Sequence, residues 1–315
     1  MGAGSLAPYT LQAHVSPDFQ RTYPVAIYQQ GDHRGLTDGA QWQSFFYTRA
    51  DAKKIFAEVH FTIVDGHAVS RPGAPFGSIA FDASLPVAAL QRFIAAVDNQ
   101  LIQLGCHAVT LVHPPAPYQR HTDLLLTLLQ EAKYGATAEL ASVLSITQGG
   151  FGTGLNAWEN RKLAQAREAG LHCSKLSNER VGEVYDFLHH CRAERGYSLS
   201  LTREQTLHLA DASPNAIQLF IATQNNEWVA AVLAIQDHPE IVYTFYYGHA
   251  AAADKLSPMV LLMEFVYESC QAAGMHYLNL GTSTLQGTTN VPLLQFKLHL
   301  GAMPMQKVTL TKRLS

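Results

Sequence analysis

Apolar and polar positions alternate along this chain in two rhythms that take turns. Residues 55–64 (I-F-A-E-V-H-F-T-I-V) form a β-type run closed by the turn Asp65-Gly66. A Pro/Gly-rich loop starting at Arg71 leads into a second run, Phe76 to Phe81. Helical spacing then holds from Val87 to Leu104 and stops at Gly105. The same reading predicts helices over 123–134, 156–169, 179–195, 203–210 and 258–273. It predicts strands over 108–112, 138–146, 217–222, 228–236, 241–247, 275–280 and 303–310. Helices that stop at glycine and feed short β-rich runs point to mixed α/β layers.

The clearest break is Q-G-G-F-G-T-G at 148–154. It divides the chain into expected domains 1–150 and 151–315, with the last strand free to pair with either. The two halves share size and rhythm, which predicts a duplicated domain, although no residue-level repeat is visible.

Composition narrows the class. The 315 residues are 47% apolar and 15% charged, enough to bury a sizeable core. Net charge is −3, with 9 basic and 11 acidic residues in 1–157 and 13 and 14 in 158–315. Neither half is a cationic module, so nucleic acid is not an expected partner. Cys106, Cys173, Cys191 and Cys270 are widely spaced, which fits reduced thiols better than a disulfide framework. Met1 to Pro8 lacks the pattern of a signal peptide, and no apolar run reaches about 18 residues. A cytoplasmic protein without a membrane span is expected.

Candidate chemistry gathers late in the chain. Around 277–301 a short strand ends in small, hydroxylated and amide side chains, and a helix carrying Phe296 and Lys297 follows. Ligands of α/β sheets sit at such strand ends. Asn279, Thr282, Ser283, Asn290 and Lys297 are therefore site candidates. Lys297 stands among Leu293, Leu294, Phe296, Leu298 and Leu300, where a charge needs a reason. Tyr246 and Tyr247 could offer phenols to a carbonyl or amine, or simply pack. Lys255 and Ser257, ahead of Pro258, could form an anion site at a helix N-terminus, or a plain capped start. Arg161 lies on a helix after the glycine-rich break, either toward a ligand or on a solvated face. The G-x-G-x-G loop reads as a flexible connection between domains, because its spacing is not that of a phosphate loop. The 15 histidines form no metal-binding pattern, and no nucleophile elbow is present.

Three segments carry a family resemblance: Asn160-Arg-Lys-Leu-Ala-Gln-Ala-Arg-Glu-Ala-Gly170, Met275-His-Tyr-Leu-Asn-Leu-Gly281, and Phe296-Lys297 through Gly301-Ala302. With them the chain resembles the FemABX-like branch of the GNAT-like acyltransferase superfamily. The resemblance implies a mixed α+β fold of two tandem GNAT-like domains, each a mixed sheet flanked by helices. It implies an N-acyltransferase moving an acyl or aminoacyl group to a primary amine of a small molecule, sugar or peptide. It places Lys297 and Arg161 at or near the acceptor. Within it, Lys297, Tyr246 and Asn279 are the expected catalytic residues, and Tyr247, Lys255, Ser257, Thr282, Ser283, Asn290 and Arg161 the expected binding residues. Asn279 stands where the family places an acid, so proton removal is expected to pass through water. The donor stays open among acyl-CoA, an acyl carrier protein and aminoacyl-tRNA, with no metal. The loop Ala253–Pro258 lacks the glycines of a standard CoA grip. Two alternatives stand beside this reading: a catalytically weak tandem-GNAT ligand-binding protein, and an aminoacyl-tRNA-dependent peptidoglycan-bridge-type transferase.

Overall fold

The computed structural model describes residues 9–30, 41–70, 72–285 and 287–315. The N-terminal octapeptide and Arg71, which entered the expectations above, lie outside them. The chain forms two compact units, Met1–Ala138 with Gln306–Ser315, and Glu139–Met305. The glycine-rich break at 148–154 therefore falls inside the second unit.

The first unit contains β1 (Thr10–Gln12), β2 (Gln20–Arg21), β3 (Gln41–Arg49), β4 (Lys54–Val64), β5 (His67–Val69), β6 (Ala80–Phe81) and β7 (Ala108–His113). Its helices are α1 (Val87–Gln103) and α2 (Thr122–Glu131). Strand order runs β1-β3-β4-β5-β7, and β2 and β6 attach to β4. α1 buries Leu90, Phe93, Ile94, Val97 and Leu101 at helical spacing against Phe45, Val59 and Phe61 of β3 and β4. β3 was not predicted, although it carries the apolar run Phe45-Phe46-Tyr47. Of the predicted strand 76–81, only Ala80–Phe81 pairs.

The second unit takes over within β8 (Gly135–Ser145) and holds α3 (Ala157–Glu168), β9 (His172–Leu176), α4 (Val181–Ala193) and α5 (Arg203–Ala212). Three long antiparallel strands follow: β10 (Ile217–Gln224), β11 (Glu227–His238) and β12 (Ile241–His249). Then come α6 (Pro258–Ala272), β13 (Tyr277–Thr282), the small hairpin β14 (Thr284–Leu285) and β15 (Thr288–Thr289), and α7 (Val291–His299). Strand order is β8-β13-β12-β11-β10-β9. β12 and β13 are parallel because α6 is a crossover between them. The chain ends in β16 (Met303–Arg313), whose residues 308–313 pair with β7 of the first unit.

The glycine-rich segment is not a loose connection. Phe151 is buried and packs on Tyr267 with ring centroids 5.4 Å apart. Gly301 has φ +87°, and a Cβ there would stand 2.6 Å from the Gly154 carbonyl oxygen. Only glycine allows that approach.

Candidate active site

β12 and β13 pair through Ile241–Tyr277, Val242–Leu278 and Tyr243–Asn279, and then part. β12 continues to His249 and β13 to Thr282. A cavity of about 600 Å³ lies where they separate. Tyr246, Tyr247, Gly248 and His249 of β12 form one side, and Thr282 and Thr284 another. Cys191, Arg192 and Arg195 come from the end of α4 and the turn after it, followed by Tyr197, Ser198 and Ser200. Asn290, which caps α7, Pro292, Leu293 and Phe296 of α7, and Met259 of α6 close it.

Strands that part leave backbone groups without ladder partners, and buried groups of that kind need others. Lys297 supplies them on β13. Its Nζ donates to the carbonyl oxygens of Gly281 at 2.9 Å and Thr282 at 2.8 Å. α7 is inverted relative to an ordinary surface helix: Lys297 is 1% exposed, while Val291 is 53% and Leu298 39% exposed. Burial pushes the Lys297 ammonium down to about 7, and the Arg192 charge adds to the shift. Among the described residues no carboxylate pairs with Lys297.

Asn279 is used inside the strand. Its Oδ1 accepts from the Gly281 N–H at 2.9 Å, shaping a bulge in which Gly281 has φ +75°. A Cβ at Gly281 would lie 3.1 Å from the Tyr243 ring, so glycine is required there. Thr244 Oγ1 donates to the Asn279 carbonyl at 3.2 Å. Ser283 is buried, with no hydrogen-bond partner for its Oγ among the described residues, and it does not line the cavity.

Two consecutive phenols reach the cavity because β12 is irregular. Leu233 pairs with Tyr246 but Ile235 with Tyr243, so β12 holds one extra residue between them. The Tyr246 hydroxyl accepts from the Leu201 N–H at 2.8 Å and shares a 2.7 Å bond with Ser200 Oγ. Burial raises the pKa of both Tyr246 and Tyr247.

His249 and its neighbours went unmentioned in the sequence reading. His249 Nε2 lies 2.7 Å from Asp254 Oδ1, and Arg195 Nη2 donates to the same carboxylate oxygen at 2.6 Å. Arg195 Nη2 also stands 3.1 Å from His249 Nε2, so the tautomer decides which contact is a hydrogen bond: Nε2–H donated to Asp254 leaves the lone pair on Nδ1, whereas Nε2 accepting from Arg195 puts the proton on Nδ1. Burial, and then Arg195, lower the His249 pKa below its ordinary value. Nothing in linear spacing joins residues 192, 195, 249 and 254; only the fold does.

Of the expected site residues, Tyr246, Tyr247, Thr282 and Asn290 meet at the cavity, with Lys297 and Asn279 directly beneath the β13 end. Ser283 does not line it, and three more stand elsewhere. Arg161 is exposed on α3 and stacks over Trp158 at 5.1 Å, since helical positions three apart share a face. Lys255 is exposed on the short 3-10 helix Ala251–Leu256. Ser257 precedes Pro258 as expected but adopts φ +53°, and its side chain makes no capping bond. Among the described residues, no group of three or more His, Cys, Asp or Glu could hold a metal, and no helix is long and apolar enough to cross a membrane.

Residues 158–290 match the family model of the acetyltransferase (GNAT) domain. Comparison with curated proteins gives no match. Among solved structures, FemX shares 10% identity and covers 86% of this chain and 88% of its own, with a TM-score of 0.64. L-PGS from Bacillus licheniformis shares 14% identity, with 85% of this chain and 83% of that one covered and a TM-score of 0.55. The C-terminal domain of a putative lysylphosphatidylglycerol synthetase from Agrobacterium fabrum shares 12%, covering 83% and 82%, also with a TM-score of 0.55. At such identities these likenesses establish the fold.

Proposed function

Starting from a GNAT acetyltransferase domain at residues 158–290, within two tandem GNAT-like units, we propose that this chain moves an acyl or aminoacyl group onto a primary amine in the second unit's cavity. One observation carries the reading. The parallel pair β12/β13 opens onto about 600 Å³ of space, and a buried lysine fixes the carbonyls of its open end. That volume suits a small-molecule site.

The chemistry is direct attack. The amine lone pair forms the new C–N bond as the carbonyl electron pair moves onto oxygen. The bond from the acyl carbon to its carrier then breaks as that oxyanion collapses. His249 Nδ1 takes the proton from the attacking amine and returns one to the departing carrier. Asp254 fixes the imidazole through Nε2, so proton removal needs no carboxylate at position 279. Tyr246 is the hydrogen-bond donor of this reading: the Leu201 N–H is directed at its oxygen, and with Ser200 Oγ–H turned the same way its own proton is left for the substrate carbonyl. Lys297 acts as a positioning residue. It holds the β13 end rigid and contributes positive potential near the developing oxyanion.

Mass spectrometry of mixtures holding an acyl thioester or an aminoacyl-tRNA with a panel of primary amines tests the reading. A protein-dependent amide product is expected. Donor hydrolysis without amide, or no reaction with any donor, overturns it.

A further inference from the structure

Arg192 belongs to the last turn of α4, is half-buried, and lines the cavity. Among the described residues its guanidinium has neither an ion-pair nor a hydrogen-bond partner. Arg195, three residues on, is different: Asp254 neutralises it at 2.6 Å. No aspartate or glutamate is among the residues lining the cavity. Lys297 beneath the β13 end has no carboxylate beside it among the described residues and, in its protonated form, adds a second positive centre. The Arg192 charge reaches across the site, since it acts on Lys297 and on Tyr243, Tyr246 and Tyr247.

This arrangement poses a problem for an amine acceptor, which is an ammonium ion in neutral water. A positive cavity repels it unless the same molecule brings a negative group. We infer that the acceptor carries a carboxylate as well as its amine, and that Arg192 binds that carboxylate and so determines specificity. This rests on the acyl-transfer reading above. A planar guanidinium offers two parallel N–H donors, which match the two oxygens of a carboxylate. Once the carboxylate is held, the surrounding positive potential favours loss of the ammonium proton. The nitrogen then becomes the neutral nucleophile that attack requires.

The test compares matched pairs of acids and amides as probes: γ-aminobutyrate, β-alanine and lysine against their carboxamides. Binding is measured by calorimetry on the intact chain, and acyl transfer is followed separately. At least one acid is expected to bind tenfold or more tighter than its amide. Arg192→Gln should abolish that ratio, and Arg192→Lys should restore part of it, with circular dichroism unchanged in both. Equal binding of acids and amides, no binding by any acid, or a preference that survives Arg192→Gln overturns the inference. If Arg192→Gln instead weakens binding of coenzyme A and leaves the acid/amide ratio intact, the residue serves a donor phosphate and the inference fails. Acid-selective binding without acyl transfer would sink the proposed reaction while leaving this recognition in place. Transfer that is indifferent to the carboxylate would do the reverse.

Discussion

The two units each contain a parallel strand pair that ends early, and they treat the opening differently. In the first unit β5 and β7 pair through His67–Ala108, Ala68–Val109 and Val69–Thr110. The chain then fills the space with itself. Ser70 Oγ accepts from the Val112 N–H at 3.1 Å, the Gly77 N–H reaches the Val112 carbonyl at 2.9 Å, and Phe76 and Ile79 are buried. In the second unit no segment among the described residues pairs between the ends of β12 and β13. A lysine side chain satisfies the β13 carbonyls, and the space remains a cavity.

Charges follow the same division. Buried acids of the first unit have opposite charges beside them. Glu58 meets Arg21 at 2.5 Å and His60 at 3.2 Å, and Asp98 meets Lys312 at 2.6 Å with the Tyr134 hydroxyl donating to it. Beside the second unit's cavity, Lys297 rests on neutral carbonyls and Arg192 on nothing among the described residues. Removing one partner of a buried pair destabilises a fold, whereas an unpaired charge at a cavity is a candidate for ligand binding.

Four experiments can break or sharpen this contrast. Asp98→Asn removes the partner of Lys312 and should cost about 3–5 kcal/mol of stability by urea unfolding, with unchanged kcat per folded molecule. A fall in kcat would give the first unit a part in the chemistry. Gly281→Ala forces a Cβ onto a positive-φ residue against Tyr243 and should cost roughly 2–3 kcal/mol, lowering turnover with it. Full activity at native stability would mean that the bulge is not needed. His249→Asn should lower kcat on the order of 100-fold, about 2.7 kcal/mol, with little change in substrate affinity. It should also flatten the acid limb of the pH–rate profile, which lies below the ordinary histidine range.

The fourth effect is a slope. The Lys297 pKa is about 7 when folded and about 10.4 when unfolded, so between those values the unfolded chain holds the extra proton. Stability should therefore rise with pH across that window, by at most about 1.4 kcal/mol per unit, relative to Lys297→Met. Below pH 7 the group is protonated in both states and adds no slope. Parallel stability curves for the two proteins from pH 7 to 10 would place the ammonium in solvent.

How much of this was legible depended on locality. Helices α1, α3, α5 and α6 announced themselves through periodicity and terminal glycines or caps, and the long strands other than β3 through their apolar runs. Lys297 was legible because a cation in a leucine-rich helix conflicts with its surroundings, and the conflict was a real one. Arg161 stayed open between a ligand and a solvated face because sequence alone does not say which face of α3 turns outward, and the fold exposes it. Arg192 and His249 were invisible for a different reason. Each is an ordinary surface-type residue at the end of its element, and its chemistry arises only when α4, β12 and Asp254 converge. The loop that fills the first unit's opening was read as strand because Phe76 and Ile79 are apolar for burial, not for pairing.

The direct test is Lys297→Met, measured for ligand affinity by calorimetry and for acyl transfer by product mass. Methionine fills a similar volume without charge, so the fold should survive. Substrate affinity should stay within a few-fold while turnover falls by roughly 100- to 1000-fold, the scale of a lost electrostatic group at a reacting carbonyl. Turnover equal to that of the unaltered chain would contradict the account.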